Sequence, residues 1–356
     1  MNLKQKIKSL FGSQLGPVFA LLFIVLCFGI ADHFLSQGNF TSARNIRTVL
    51  DTAARITVPA LGMTIIIIAA GIDLSAGTAL TLCGTVLATQ LKFAPMEAVD
   101  PGFGFYMTQT LLITVLIGCA CGLFNGLLIS LTKVVPFIVT LGTMTIFLGI
   151  GQLVSKESTV YADSKFRPDW LANFCYTGSN SDKYFNLGFL PNIPASALLM
   201  FVLMILVGLM LRYTVFGRNI FAVGSSESTA RLCGVNVPVS TILIYTLAGA
   251  FVGIGGFMNF AYVNSGDPQS GMGMELQIIA AVVLGGGSLS GGRGSVFGTF
   301  VGAIIIAVIQ SGCVQLSIPN TYTHIIIGGI IIVAVIVDQL RHGSPEWFFR
   351  MLPSKD

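Results

Sequence analysis

Residues 217–238 read Gly-Arg-Asn-Ile-Phe-Ala-Val-Gly-Ser-Ser-Glu-Ser-Thr-Ala-Arg-Leu-Cys-Gly-Val-Asn-Val-Pro, a polar stretch between two long apolar runs. The runs cover residues 195–211 before it and 239–263 after it. Both have the length, roughly 17–25 apolar residues, with which an α-helix crosses a bilayer. The sequence therefore predicts that this polar stretch lies outside the membrane and joins two spans.

The polar stretch carries the signals of a short helix at its centre. Ser225 or Ser226 can cap the N-terminus, and Glu227 then falls in the first turn. Arg231 suits the last turn, and Gly234 suits a left-handed stop. A well-capped surface loop and a helix that docks on a partner protein both fit these signals.

The composition indicates a membrane protein throughout the chain. Of the 356 residues, 54% are hydrophobic and only 10% are charged, and the mean hydropathy is +0.84. A soluble protein carries about 25% charged residues. Because no Pro-, Ser- or Gly-rich linker interrupts the apolar runs, we predict one transmembrane domain over residues 1–356.

The charge-free runs predict an all-α, polytopic fold with about ten transmembrane helices. The first run follows Lys4, Lys6 and Lys8; it could be a signal peptide, but its length favours an uncleaved span. The predicted spans are residues 9–31, 56–72, 74–91, 108–132, 134–154, 195–211, 240–263, 276–290 and the two parts of 294–337 on either side of 312–320.

Basic residues predict the orientation, because they are enriched in the cytoplasmic loops of membrane proteins. With both termini cytoplasmic, the loop at residues 212–239 lies inside and the long loop at 155–194 lies outside. The basic residues on the cytoplasmic side are then Lys133, Arg212, Arg218, Arg231, Arg293, Arg341 and Arg350.

Glycines recur at every fourth position in two of the predicted spans, a pattern that lets helix backbones pack closely in lipid. The two sets are Gly118, Gly122 and Gly126, and Gly294, Gly298 and Gly302. The glycine-rich segment 285–294 contains no Gly-x-x-x-x-Gly-Lys-Ser/Thr pattern, so we interpret it as a compact turn rather than a phosphate-binding loop.

The inventory of reactive side chains argues against an enzyme. The three histidines, His33, His324 and His342, are far apart and have no metal-ligand spacing. No basic tract with interleaved aromatic residues indicates nucleic-acid binding. We therefore expect no catalytic set, no metal and no cofactor bound by this chain.

Four motifs resemble the sugar-type permeases of ATP-binding-cassette (ABC) importers, such as the ribose, xylose, galactose and autoinducer-2 systems, which are related to branched-chain amino acid permeases. The family's coupling-loop pattern Glu-x-x-Ala-Arg-x-x-Gly is present here as Glu227, Ala230, Arg231 and Gly234. The other three blocks are Gly71-Ile72-Asp73-Leu74-Ser75, Val135-Pro136-Phe137-Ile138-Val139-Thr140-Leu141-Gly142 and residues 281–298.

The resemblance implies a type II importer-like permease subunit in the bacterial cytoplasmic membrane. Two copies would pair in lipid around a central pathway, with a separate ATPase subunit beneath and a periplasmic or extracellular binding protein above. ATP would be used by the partner ATPase, and the solute would be a monosaccharide such as ribose. The alternatives are an ion-coupled secondary transporter and an ABC permease for nucleosides or branched-chain amino acids.

Small polar residues in or beside the matching motifs are candidates for lining that pathway: Ser75, Asn125, Thr140 and Thr143, near Gly142. Each could equally bond a neighbouring helix, the commoner arrangement for small polar residues in a membrane. Asp73 follows Gly71 and precedes the third span, so we expect it to cap that span rather than contact substrate. Pro136 belongs to the structural part of the same motifs.

Overall fold

The computed structural model describes residues 16–35, 40–94, 103–162, 168–178 and 193–342, and most of the described chain is helical. Each predicted span corresponds to a helix: α1 Gly16–Leu35, α2 Ala43–Ile68, α3 Ala76–Lys92, α4 Phe103–Thr132, α5 Pro136–Ser155, α7 Ala195–Tyr213, α10 Val237–Val263, α11 Met274–Leu284, α12 Val296–Gln315 and α13 Asn320–His342. The remaining elements are the short helices α6 Asp169–Asn173, α8 Val215–Ser225 and α9 Glu227–Leu232, and the strands β1 Val160–Tyr161 and β2 Ser265–Gly266.

Seven helices in the described part of the chain are long and apolar enough to cross a membrane by themselves: α1, α2, α4, α5, α7, α10 and α12. Of the others, α3 has 17 residues and α11 has 11, and the apolar part of α13 covers residues Asn320–Val333. The all-α polytopic fold is confirmed, while ten complete crossings stay a prediction. Lys4, Lys6 and Lys8 lie outside the described residues.

Two helices extend beyond the charge-free runs that predicted them. The runs covered residues 9–31 and 56–72, whereas α1 ends at Leu35 and α2 begins at Ala43. Each helix accommodates its charges through partners. Asp32 accepts the backbone N–H of Phe40 at 2.8 Å, and Asp51 pairs with Arg55 at 3.1 Å. A charge that is paired or hydrogen-bonded does not end a helix, so the boundaries drawn at charges were wrong here.

The eighth predicted span is shorter than its apolar run. The run covered residues 276–290, but α11 ends at Leu284 because the glycines after it turn the chain. Gly286, Gly291 and Gly292 have positive φ values of 89°, 83° and 71°. The N–H of Gly292 donates to the carbonyl of Ile68 at 2.8 Å, which fixes this turn against the end of α2. The compact turn predicted from the glycines is confirmed.

Glycines bring helices into backbone contact at the centre of the fold. A Cβ on Gly122 of α4 would overlap with the carbonyl oxygen of Tyr245 in α10, and one on Gly118 would overlap with that of Gly249. In α12, a Cβ on Gly298 or Gly302 would overlap with the backbone of Gly285 or of α11. The predicted close packing is confirmed. It is possible because a missing side chain lets two backbones approach in lipid.

The described parts of the loop predicted to be external are packed on the bundle. Strands β1 and β2 pair antiparallel, with Val160 opposite Gly266. In the segment that contains α6, Leu171 is fully buried and Phe174 packs on Phe257 of α10, with ring centroids 4.9 Å apart. Arg47 of α2 donates to the carbonyl of Gly178 at 2.8 Å. These contacts attach the described parts of this loop to α2, α10 and β2.

Candidate functional site

The polar stretch between α7 and α10 forms two short helices rather than the single one expected. In α8, the hydroxyl of Thr214 accepts the N–H of Gly217 at 3.0 Å and caps the helix. At Ser226 the backbone becomes extended, with φ −166° and ψ 110°, and this residue separates α8 from α9. The additional helix was missed because most of α8 lies in the polar stretch, and its two glycines, Gly217 and Gly224, are poor helix formers.

The short helix α9 has both predicted caps. Ser226 accepts the N–H of Thr229 at 3.3 Å. At the other end, Gly234 has φ +84°, and the N–H of Val235 donates to the carbonyl of Ala230 at 3.0 Å. Because both ends are satisfied, a helix of 6 residues can form outside the bundle.

The faces of α9 differ in burial. Ala230 is 3% exposed and packs with Val223 and Val237, so it fixes α9 to α8 and α10. Glu227 and Arg231 form an ion pair on the solvent-exposed side of α9, with side chains 57% and 53% exposed. Leu232 is 89% exposed. Sequence reasoning did not single out Leu232.

A cavity of about 570 Å³ separates α9 from the C-terminal end of α2 and the N-terminal end of α5. Glu227 and Arg231 line one side, and Gly71, Lys133 and Pro136 line the other. The structure therefore brings two of the coupling-motif residues close to two residues of the other family motifs. Gly71 and Pro136 both precede Glu227 by more than 90 positions in the sequence.

Asp73, Ser75 and Asn125 form a buried polar cluster. The Oδ1 atom of Asp73 accepts the backbone N–H of Ser75 at 2.8 Å and its hydroxyl at 2.6 Å. The Nδ2 group of Asn125 donates to the Ser75 hydroxyl at 2.8 Å. Asp73 thus bonds Ser75, the residue before α3, and no side-chain bond to a first-turn amide of α3 is present, so its role as a cap of that span stays a prediction. The cluster joins the start of α3 to α4.

Thr140 joins α5 to the same region. Its hydroxyl oxygen accepts the N–H of Leu74 at 3.1 Å and lies 3.3 Å from the carbonyl oxygens of Ile72 and Phe137. Thr143 donates to the carbonyl of Thr140 within its own helix at 3.2 Å.

All four pathway candidates are buried in the single chain. Their exposed fractions are 1% for Ser75 and Asn125, 0% for Thr140 and 2% for Thr143. Their hydroxyl and amide groups bond neighbouring backbone or side chains, which was the alternative left open. A role in the pathway stays a prediction.

The opposite face of α5 is open and carries small residues. No heavy atom lies within 4 Å of a Cβ built on Gly142 or Gly149, and Thr145 between them is exposed. We name Gly142, Thr145 and Gly149 the α5 strip. Thr145 was missed by sequence reasoning, although its position three residues after Gly142 places it on the same helix face.

No metal site is visible in the described ranges, since no three His, Cys, Asp or Glu side chains gather there.

Comparison with known proteins identifies what the chain resembles. The family described as "Branched-chain amino acid transport system / permease component" matches residues 45–335. The galactose/methyl galactoside import permease of Salmonella typhimurium is 34% identical over 333 residues, covering 91% of this chain and 95% of that protein. The ribose import permease of Bacillus subtilis is 33% identical over 328 residues (92% and 93%). The D-allose transport system permease of Escherichia coli is 30% identical over 332 residues (93% of each). No solved structure gave a significant match.

Proposed function

The chain belongs to the family of branched-chain amino acid transport system permease components, and from this premise we propose that it is the permease subunit of an ATP-driven monosaccharide importer. It converts the movement of a separate ATPase into alternating access of a pathway across the cytoplasmic membrane. Ribose is one candidate solute among the sugars that its relatives are named for, which include galactose and allose. The chain is not itself an enzyme and binds no cofactor.

The observation that carries this proposal is the construction of α9. It is anchored by the buried Ala230, while Glu227, Arg231 and Leu232 are exposed, the first two beside the cavity that separates α9 from α5. An exposed ion pair contributes only a few tenths of a kcal/mol. A docking surface explains better why charged and apolar side chains are exposed together on a well-capped helix. The partner that fits is the ATPase subunit.

The remaining partners follow from the same architecture. We place a periplasmic or extracellular binding protein on the outer side, and a second copy of the chain against the α5 strip, so that the pathway runs between two permeases. Lipid covers faces such as that of α1, where Phe23, Leu26 and Phe34 are 67%, 60% and 80% exposed. Both termini are cytoplasmic in this arrangement.

Reconstitution tests the function directly. The permease would be placed in proteoliposomes with its ATPase and its binding protein, and uptake of radiolabelled ribose, galactose, allose and fructose would be measured. Leucine and adenosine would test the two alternative substrate classes. We expect uptake of at least one sugar only when all three proteins and ATP are present, and no change when an ionophore is added.

An ion-coupled secondary transporter would behave differently. It would take up solute with the permease alone, under an ion gradient, and an ionophore would abolish uptake. The acidic residues near membrane depth do not favour that mechanism, because each already has a fixed partner within the chain. Asp51 pairs with Arg55 and accepts the Ser196 hydroxyl, Asp73 bonds Ser75, and Glu275 accepts the N–H of Gly273 at 3.0 Å.

A further inference from the structure

The end of α8 is fixed directly on the end of α2. Gly224 of α8 lies so close to α2 that a Cβ on it would overlap with the carbonyl oxygen of Ile68. The same carbonyl accepts the N–H of Gly292 at 2.8 Å, and a Cβ on Gly291 would lie 2.5 Å from the carbonyl oxygen of Gly224. Backbone-to-backbone contacts of this kind leave little freedom to slide, so α8 and the end of α2 move together.

Residues 69–75, which we name the α2–α3 turn, continue from that fixed point. The N–H of Gly71 returns to the carbonyl of Ile66 at 2.9 Å, and Ala70 adopts a left-handed conformation with φ +63°. A Cβ on Gly71 would lie 2.6 Å from the Tyr245 hydroxyl oxygen. The turn is therefore a compact unit, and a displacement of residue 69 also displaces residue 75.

Thr140 is the polar link from this turn to α5. Its hydroxyl is fully buried and accepts the N–H of Leu74 at 3.1 Å. It is also within 3.3 Å of the Ile72 carbonyl, which the hydroxyl of Tyr245 reaches at 3.4 Å. A hydrogen bond between a side chain and a backbone amide, shielded in part from solvent, fixes both position and direction.

By contrast, no hydrogen bond or ion pair among the described residues joins α9 to the start of α5. The cavity of about 570 Å³ lies between Glu227 and Arg231 on one side and Pro136 on the other. A push on α8 and α9 can therefore reach α5 through the α2–α3 turn, without direct contact between α9 and Pro136.

We propose that Thr140 is a positioning residue that passes the movement of α8 and α9, through the α2–α3 turn, to α5 and its exposed strip. This inference rests on the proposed function, because it needs an ATPase to move α9. Thr140 does not touch the sugar in this scheme. Its hydroxyl holds α5 in register with the α2–α3 turn while the two move.

The test uses the complete importer and compares Thr140→Val with Thr140→Ser. Valine keeps the shape but removes the hydroxyl, whereas serine keeps the hydroxyl. We expect sugar uptake per ATP hydrolysed to fall about tenfold in Thr140→Val, because the partly buried N–H of Leu74 loses its acceptor. Binding-protein-stimulated ATP hydrolysis should stay within about twofold of wild type, and Thr140→Ser should restore uptake per ATP.

Thr114→Val is the matched control. Thr114 is also fully buried, but its hydroxyl donates only to the carbonyl of Thr110 in its own helix at 2.8 Å. We expect unchanged uptake per ATP in this variant. Equal losses in Thr114→Val and Thr140→Val would mean that any buried threonine matters for packing, and the inference would be overturned.

A second variant protects the test against misfolding of Thr140→Val. Tyr245→Phe removes only the longer bond to the Ile72 carbonyl, so the protein should insert normally and lose uptake per ATP about twofold to threefold. If wild type imports sugar and both Thr140→Val and Tyr245→Phe match it, the inference fails while the proposed function stands. If wild type shows no ATP-dependent uptake of any tested solute, the proposed function fails first.

Discussion

At the scale of the residue, Asp73 is an acidic side chain beside apolar spans, and it is only 6% exposed. Both of its hydrogen bonds go to the same neighbour, through the backbone N–H and the hydroxyl of Ser75. These bonds require an acceptor oxygen at that position but not a negative charge. Asn125 extends the cluster by donating to Ser75. The Ser75 hydroxyl therefore accepts from the Asn125 amide and donates to the Asp73 carboxylate.

Substitutions at Asp73 distinguish a structural role of its carboxylate from a role in transport. Asp73→Asn keeps an acceptor oxygen, so the melting temperature of the purified permease in detergent should stay near that of wild type. Asp73→Ala leaves a buried N–H and hydroxyl without their acceptor and should lose about 1–3 kcal/mol. If Asp73→Asn melts normally but abolishes uptake as fully as Asp73→Ala does, the carboxylate has a role in transport.

At the scale of the element, two kinds of contact define the helices. Spans pack through glycines that admit a neighbouring backbone, as between α4 and α10. The short helix α9 is held instead by one small apolar side chain, Ala230, and by its own caps. The first kind makes a rigid bundle, and the second presents a surface that a partner can grip.

Gly122→Ala should destabilise the bundle. The new Cβ overlaps with the carbonyl oxygen of Tyr245, so the two helices must separate, and overpacking of this kind is unfavourable by about 1–3 kcal/mol. Gly208→Ala is the matched control, because nothing lies within 4 Å of its Cβ position. Thermal unfolding in detergent should show a melting temperature below that of wild type for Gly122→Ala and an unchanged melting temperature for Gly208→Ala. Equal behaviour of the two variants would contradict the close α4–α10 packing.

The double variant Glu227→Ala with Arg231→Ala should leave insertion normal and weaken binding of the ATPase at least tenfold. The ion pair is exposed and contributes little to folding, whereas residues at the centre of a docking surface lose far more on truncation. Pull-down of the ATPase and its stimulated hydrolysis measure the effect, and sugar capture by the binding protein should be unchanged. Ser228→Ala, an exposed change on the same helix, is the control. Import at the wild-type rate by the double variant would show that α9 is an ordinary surface helix.

At the scale of the whole molecule, the orientation follows from where basic residues and loops lie along the bundle. We predict that Ser158, after α5, faces the outside and that Ser228, in α9, faces the cytoplasm. Cysteines placed singly at these exposed positions, with Cys27 and Cys233 replaced by serine, would be labelled in intact cells by an impermeant maleimide. Ser158→Cys should react and Ser228→Cys should react only after permeabilisation. The reverse pattern would invert the topology.

The sequence by itself determined the class of the protein, the approximate positions of the spans, the caps of α9 and the glycine faces. These properties are local. A bilayer requires an apolar run of a certain length, a helix end requires a particular capping residue, and a close helix contact requires a missing side chain. The residues that signal a span, a cap or a close helix contact are near one another in the sequence.

The tertiary structure alone decided what accompanies the charge of Arg55, what Thr140 bonds and what separates α9 from α5. Arg55 belongs to a helix interior because Asp51 and the ring of Tyr262, 3.6 Å away, accompany its charge. Thr140 is buried because a turn 66 residues earlier in the chain supplies its partner. The environment of a polar side chain in a membrane depends on which helix packs opposite. That choice is made by the shape of the whole bundle, which the periodicity of one helix does not encode.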